Sequence, residues 1–395
     1  MFNKKVSVVL STYNAKERLR MALASYEFQS FPKELFEVIV IDDGSTDGTF
    51  EMMKHRKYSY SLTYRYYRRN AGRAIARNRG LELATGEIII FSDSDMIAEQ
   101  DFILKHVAHH EKDDQIFVGG NFWNRVYTHI YPAKNIIQGL NKLTGKKLPL
   151  FKNSSIRKQL KTKKYVPLMT IEDLRKNDFL RTLQKQPWAN FYEQIANRYG
   201  QELIGFHFPW VFFVVMNASV RRKHLDNVGF FDEGFKGWGG EDEELGLRLF
   251  QSGVRGMVDT EIKNYHQEHP RILNKQDKEQ ANNKLYLVQK HLSITTILNY
   301  YFSEIDIFTK NKFLNQLSLL KENGLVSKTF HTQIEKLLQY YFEIHYANKS
   351  APCPLDKESK DGFKEDLDKL TVNPDLVELA LFIEKNLLIN EREYD

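Results

Sequence analysis

The chain has 395 residues, a formal net charge of +6 and one cysteine. A single thiol, Cys353, can form neither an intrachain disulfide nor a four-thiolate zinc site, which excludes a disulfide-stapled secreted scaffold. With 42% apolar and 27% charged residues the chain is globular rather than disordered, and at roughly 100–200 residues per domain it holds two or three domains.

No apolar run approaches the roughly 18 residues of a membrane span, and Val6 to Leu10 is too short for a signal-peptide core, so the expected location is the cytosol. Three short β-branched runs, Val6–Leu10, Val38–Ile41 and Ile88–Phe91, read as central parallel strands. A helical face of Leu19, Ala22, Leu23 and Tyr26 lies between the first two. A second helix is expected from about Gly48 and a third from about Arg73 to Ala84. The alternation implies an α/β fold with right-handed crossovers in a doubly wound sheet.

Residues 130–185 break this pattern. Fourteen Lys or Arg against three acids give the segment a charge of +11 and leave −5 for the rest of the chain. Two readings stand for it: a solvated helical cover, which is the commoner fate of charged segments, or a surface attracting an anionic acceptor or an anionic membrane. No nucleic-acid-binding module accompanies the charge. The α/β signal resumes with a strand expected at Val211–Met216, and a helix follows from about Glu241. From about residue 285 the periodicity is helical, with a stripe of Phe330, Ile334, Leu337, Leu338, Tyr341 and Phe342. A last helix is expected after Asn373-Pro374, with Leu376, Leu379, Ile383 and Leu387 inward. The expected divisions are 1–120, a basic insertion over 121–210, 211–284, and a helical region over 285–395.

Several motifs carry chemistry. Asp93-Ser94-Asp95 follows an apolar strand, where two acids can converge on a hard cation such as Mn²⁺ or Mg²⁺; alone, such a pair is more often a solvated turn. Asp42-Asp43-Gly44-Ser45 ends another strand and offers acceptors to a base or ribose, or else a helix cap. Arg73 and Arg77 share a helix face and offer forked donors to a diphosphate, or else are surface arginines. Further on, Trp238 among Gly237, Gly239 and Gly240 presents an aromatic face where backbone can approach a sugar closely. Glu241 and Asp242 then open a helix, so that one carboxylate can orient an acceptor hydroxyl and the other remove its proton. A helix N-terminus favours the ionised form and makes such a base weak. His266 of Tyr265-His266-Gln267-Glu268-His269 is a third metal ligand candidate, with His269 in reserve. His109 and His110 read as surface positions on a helix, Phe208–Phe213 as core and pocket wall, and Asn217 equally as ligand contact or turn.

Through Ser11-Thr12-Tyr13-Asn14, Asp42 to Ser45, Gly72 to Asn78 and Asp93-Ser94-Asp95, residues 5–110 resemble the nucleotide-sugar-binding domain of family 2 glycosyltransferases. The resemblance implies a GT-A fold: Rossmann-like, with a mostly parallel sheet and flanking helices, here followed by a helical C-terminal region. It implies that Ser11, Tyr13 and Asp43 contact uridine, that Arg77 lies near the phosphates beside Arg73, and that Asp93, Ser94 and Asp95 serve donor and metal, Asp95 being the more direct ligand. Residues 212–270 resemble the acceptor motif of β-1,4-galactosyltransferases and chondroitin-polymerase-type domains, with Glu243 and Glu244 in place of further Asp. That resemblance implies Asp242 as catalytic base, Glu241 with Trp238, Gly239 and Gly240 in the acceptor site, and His266 on the metal.

The expected activity is metal-dependent transfer from a UDP-sugar to an acceptor hydroxyl, inverting, in cell-surface polysaccharide or glycoconjugate synthesis, with Mn²⁺ or Mg²⁺ as cofactor. A carbohydrate, a lipid-linked glycan and a peptide all stand as acceptors. Alternatives are a retaining or peptide-modifying transferase, a nucleotidyltransferase, and a non-catalytic sugar-binding subunit. The C-terminal helices serve dimerisation or acceptor recognition.

Overall fold

The computed structural model describes residues 5–144, 154–271, 273–302, 304–345, 354–373 and 376–385. Cys353, Pro374 and Leu387 lie outside them. The contacts divide the chain into two compact units, residues 1–204 with 209–280, and residues 205–208 with 281–395.

The first unit is built on strands β1 (Val6–Thr12), β2 (Phe36–Asp42), β3 (Ser61–Tyr66) and β4 (Ile88–Asp93), followed by β5 (Met96–Ala98) and β6 (Ile116–Val126). The short strands β7 (His129–Ile130), β8 (Val166–Pro167) and β9 (Gln184–Lys185) precede β10 (Ala218–Arg221) and β11 (Arg255–Gln267). The large sheet runs β3-β2-β1-β4-β10-β6-β11-β5, with β9 on β6; β7 and β8 form a separate pair. β1 lies parallel to β2 and β4, and β2 parallel to β3. β10 is antiparallel to β4 and β6, so the sheet is mixed rather than doubly wound throughout.

Helices α1 (Lys16–Tyr26), α2 (Thr49–Lys54), α3 (Arg73–Leu83) and α4 (Phe102–Lys112) connect the early strands. Both sheet faces are covered, which is why the three apolar runs are continuous. Val8, Leu10, Val38 and Ile90 face Leu19 and Leu23 of α1 and Phe102 of α4. Val9, Ile89 and Phe91 form part of the opposite core with Ala74 and Leu81 of α3. β6 runs through residue 120, where a boundary was expected.

The basic segment carries α5 (Lys134–Thr144), α6 (Ser154–Thr162), α7 (Ile171–Arg175) and then α8 (Pro187–Tyr199). Its described cations, among them Lys158, Lys161, Lys163 and Lys176, are exposed. The strand expected at Val211–Met216 is instead a short 3-10 turn over Pro209–Phe212 with a loop, and the strand starts at Ala218. The aromatic residues of this stretch exclude water without needing a ladder: Phe208, Phe212 and Phe213 are fully buried. Asn217 is structural, donating to the Ile262 carbonyl at 3.0 Å and to Asn264 at 3.1 Å.

His109 and His110 are also corrected. His110 is buried, with Nε2 2.8 Å from the Ser219 hydroxyl, and His106 holds the same hydroxyl at 2.8 Å. His109 pairs with Asp259 at 2.8 Å. A polar patch on β10 therefore turns one face of α4 inward, against its apparent surface character.

After α9 (Arg222–Val228), α10 (Glu241–Gln251) and β11, α11 (Leu273–Lys290) begins well before residue 285. The second unit contains α12 (Ile294–Tyr301), α13 (Ile307–Asn323), α14 (Phe330–His345), α15 (Lys357–Thr371) and α16 (Val377–Ile383). Ser293, Asp306 and Asp356 cap the N-termini of α12, α13 and α15. Phe330, Ile334, Leu337, Leu338 and Phe342 are buried along one face of α14, and Phe330 stacks on Phe363 at 4.9 Å.

Candidate active site

The site forms where β4 stops. β4 ends at Asp93, the chain turns through Ser94 and Asp95, and β5 leaves to pair with β11. In that pairing His266 lies opposite Met96, and the Gln267 amide donates to the Asp95 carbonyl at 2.8 Å. A residue 171 positions along the chain is thereby set beside the Asp-X-Asp turn by strand register.

Asp95, His266 and His269 place one ligand atom each within 4.8 Å of one another, and among the described residues no other such group of three is found. His269 Nε2 is 3.1 Å and His266 Nε2 3.6 Å from the Asp95 carboxylate, and the two imidazoles stack at 5.3 Å. Burial works to raise the Asp95 carboxyl, but His266, the hydrogen bond from His269 and Arg18 hold it well below the usual carboxylate range. Burial pushes His266 well below its ordinary value, and Arg125 and Arg271 add to the shift. The imidazole is thus neutral and has a lone pair to give. Its Nδ1 is buried without a hydrogen-bond partner among the described residues. One carboxylate and two imidazoles make a donor set that fits a divalent transition metal such as Mn²⁺.

Asp93 is not part of this group. The expected metal set was Asp95, Asp93 and His266, but Asp93 accepts from Arg77 at 3.2 Å, and His269 stands beside Asp95 and His266 instead. Arg77 is almost fully buried, and its other guanidinium nitrogen donates to Glu241 at 2.7 Å. Burial opposes its charge, yet Asp93, Glu241 and Asp242 keep it protonated. Arg77 therefore spans the two acid motifs, while Arg73, one turn earlier, is exposed. No spacing in the sequence links residue 77 to residue 241.

Asp42 and Asp43 hold loops. Asp42 accepts from the Ser45 amide at 2.8 Å and from Tyr64 at 2.6 Å. Asp43 accepts from the amides of Ala71 and Gly72, the latter at 2.8 Å, which fixes the entry to α3. Ser11 sits between Ile41 and Asp93 in the ladder, and Tyr13 beyond the end of β1 is 51% exposed. Ser94 is buried in the turn.

On the other side of the Arg77 bridge, Gly237, Gly239 and Gly240 adopt φ of +77°, +91° and +90°, a region that side chains disfavour. A Cβ at Gly237 would lie 2.3 Å from the Glu279 carboxyl carbon, and the Trp238 amide donates to Glu279 at 3.1 Å. The chain thus turns tightly into α10 and leaves Trp238 half-buried beside it. Glu241 has one oxygen on Arg77 and the other buried without a hydrogen-bond partner among the described residues.

Asp242 departs from expectation. Its oxygens accept from the Glu243 amide at 3.0 Å and the Val215 amide at 3.4 Å. Burial, reinforced by the charges of Glu241 and Glu243, nevertheless pushes the carboxyl up to about 8, against the pull of Arg77. Desolvation and like charge outweigh the helix terminus, and Asp242 is no weak base.

Comparison with known proteins decides the family. Residues 7–170 match the profile of glycosyl transferase family 2, and residues 201–271 that of the N-terminal domain of galactosyltransferase. An uncharacterized glycosyltransferase of Bacillus subtilis (strain 168), YfnE, is 37% identical over 295 residues, 74% of this chain and 72% of its own length. The chain belongs to glycosyltransferase family 2. Its mixed sheet with flanking helices is the GT-A fold, and the chain is a glycosyltransferase. The hyaluronan synthase of Pasteurella multocida is 31% identical over 285 residues, 70% of this chain and 26% of that protein. The validoxylamine A glucosyltransferase of Streptomyces hygroscopicus subsp. limoneus is 28% identical over 274 residues, 67% of this chain. This family 2 chain thus spans about half of the latter (52%) and about a quarter of the former (26%). Among solved structures, S. aureus TarS 1-349 in complex with UDP-GlcNAc covers 98% of this chain, and 87% of that chain is covered, with TM-score 0.48 and 18% identity. Among the described residues no helix is long and apolar enough to cross a membrane.

Proposed function

We propose that this glycosyltransferase moves a sugar from a UDP-linked donor to an acceptor hydroxyl with inversion, in a divalent-metal-dependent reaction that builds a polysaccharide or glycoconjugate. The observation that carries the reading is the Arg77 bridge: it holds Asp93, two residues from the Asp95–His266–His269 cluster, and Glu241, next to Asp242, on one buried guanidinium. Binding groups for a diphosphate and a basic carboxylate for a hydroxyl are thus fastened together. The hyaluronan and chondroitin synthases among its relatives support a sugar polymer as product.

Asp95, His266 and His269 would hold the cation, which when bound supplies positive charge to the departing diphosphate. Tyr13 and Ser11 stand at the uridine end, with Asp43 shaping that pocket through the 71–72 loop. Glu241 orients the acceptor hydroxyl through the oxygen that Arg77 does not hold. Asp242 takes the hydroxyl proton as the oxygen attacks the anomeric carbon from the side opposite UDP, and the bond to the diphosphate breaks with its electron pair leaving on UDP.

The test is UDP-sugar hydrolysis and UDP binding, each with Mn²⁺ and with EDTA, in the parent and in Asp95→Ala. Binding that is strengthened by Mn²⁺ in the parent and indifferent to it in the variant is the expected result. Binding indifferent to EDTA in both overturns the metal assignment.

A further inference from the structure

The mechanism leaves one aromatic group without a task. Trp188, the second residue of α8, is 57% exposed, the most exposed of the larger aromatic side chains among the described residues. It is also firmly held. One face stacks on Trp123 with ring centroids 5.7 Å apart at 25°, and Phe191 meets its edge at 5.6 Å. More than half of its surface stays exposed beside these two neighbours.

Its position follows from the sheet. Trp123 lies on β6 directly before Asn124 and Arg125, which pair with Tyr265 and His266 of β11. β9 binds the same two residues and delivers the chain to the start of α8. One turn along α8, Tyr192 packs edge-on against Trp123 at 6.2 Å and against Phe212 at 4.7 Å. The turn carrying Phe212 packs on α10, and the Val215 amide of the loop after it reaches Asp242. Burial raises the Tyr192 hydroxyl, and the charges of Glu243 and Asp242 raise it further, so the aromatic cluster lies within electrostatic reach of the basic carboxylate. α8, which carries Trp188, therefore packs on β6 and on β11, the strand of His266, and through Tyr192 on the turn that packs against α10.

We propose that the outer face of Trp188, braced by Trp123, is a stacking subsite for a pyranose ring of a carbohydrate acceptor. A rigid indole face costs little conformational entropy to present, and it pairs with the apolar C–H face of a pyranose while leaving the ring hydroxyls in water. A solitary exposed tryptophan is ordinary; one stacked on a second tryptophan, on the strand that pairs with the strand of His266, is placed to bind. The inference rests on the glycosyltransfer reading and narrows the acceptor to a saccharide.

The test uses the full chain with Mn²⁺ and UDP present, and maltotetraose, chitotetraose and a hyaluronan tetrasaccharide as probes. Binding is read by saturation-transfer NMR and tryptophan fluorescence. The expected result is saturable binding of at least one probe, weakened roughly tenfold in Trp188→Ala and largely restored in Trp188→Phe, as suits a stacking contact. UDP affinity measured separately stays at the parent value. Equal probe binding by Trp188→Ala and parent overturns the subsite, as does failure of all probes to bind a parent that still binds UDP. Either leaves the donor and metal assignments standing; loss of Mn²⁺-dependent UDP binding in the parent would instead strike those.

Discussion

Asp95 and Asp242 are both part-buried carboxyls near a strand or helix end, yet their environments drive them in opposite directions. Asp95 faces two imidazoles and Arg18 and stays ionised. Asp242 faces Glu241 and Glu243 and is pushed up to about 8. Burial is the first effect at both; the sign of the neighbouring charge decides the outcome. One carboxylate is suited to holding a cation and the other to exchanging a proton, a division of labour that pairs of titratable groups commonly express.

The strongest way to break this contrast is to remove the proton acceptor. Asp242→Asn should lower transfer by about 10²–10⁴-fold while UDP binding persists, a loss of the size general base catalysis supplies. Equal transfer by the variant on an identified acceptor sinks the base assignment. Arg77→Met should cost about 3–5 kcal/mol, because it leaves the buried Glu241 and the part-buried Asp93 without their counter-charge; thermal and urea unfolding measure it. Only a fall in stability well below that range would detach the two halves of the site. His266→Ala should weaken Mn²⁺ affinity by about 10–100-fold, read by Mn²⁺ titration of UDP binding.

The pH dependence sharpens the contrast further. In the folded chain Asp242 keeps its proton up to about 8, against an ordinary 3.8. Its contribution to stability is therefore full below the unfolded value and is lost as pH rises through about 8. Asp242→Asn should thus gain on the parent in unfolding free energy as pH rises from 4 to 8, and transfer by the parent should rise over the same window. His106 and His110 run the other way: burial pushes both down to about 3, so their share of stability holds above the ordinary 6.5 and disappears on acidification. A His110→Gln variant with a shallower loss of stability below pH 6 is the smallest effect expected here.

Much of the first unit was legible because β1, β2 and β4 are buried on both faces and read as unbroken apolar runs. β3 was not, because Ser61–Tyr66 is half-exposed and polar. β6 hid behind Gly119, Gly120 and Asn121, and α4 behind histidines whose partners lie on β10. The acid motifs and His266 were visible as local patterns. The Arg77 bridge was not, because it depends on a contact across more than a hundred residues, and His269 was visible only as a reserve for His266. The raised Asp242 was hidden for a related reason: local reasoning counts the helix terminus but not the depth of burial.

The pairing of β6 with β11 slips between Asp259 and Lys263 and again between Lys263 and Tyr265. Successive residues of a strand alternate between faces, so these two irregularities act as a phase setting for everything that follows. His266 points to Asp95 only while that count is kept. Substitutions over residues 260–264 are therefore a question of side chains, but a single-residue insertion or deletion there is a frameshift in space: it would turn His266 to the far face with every local residue type intact. In descendants of this chain the length of that stretch should drift more slowly than its composition.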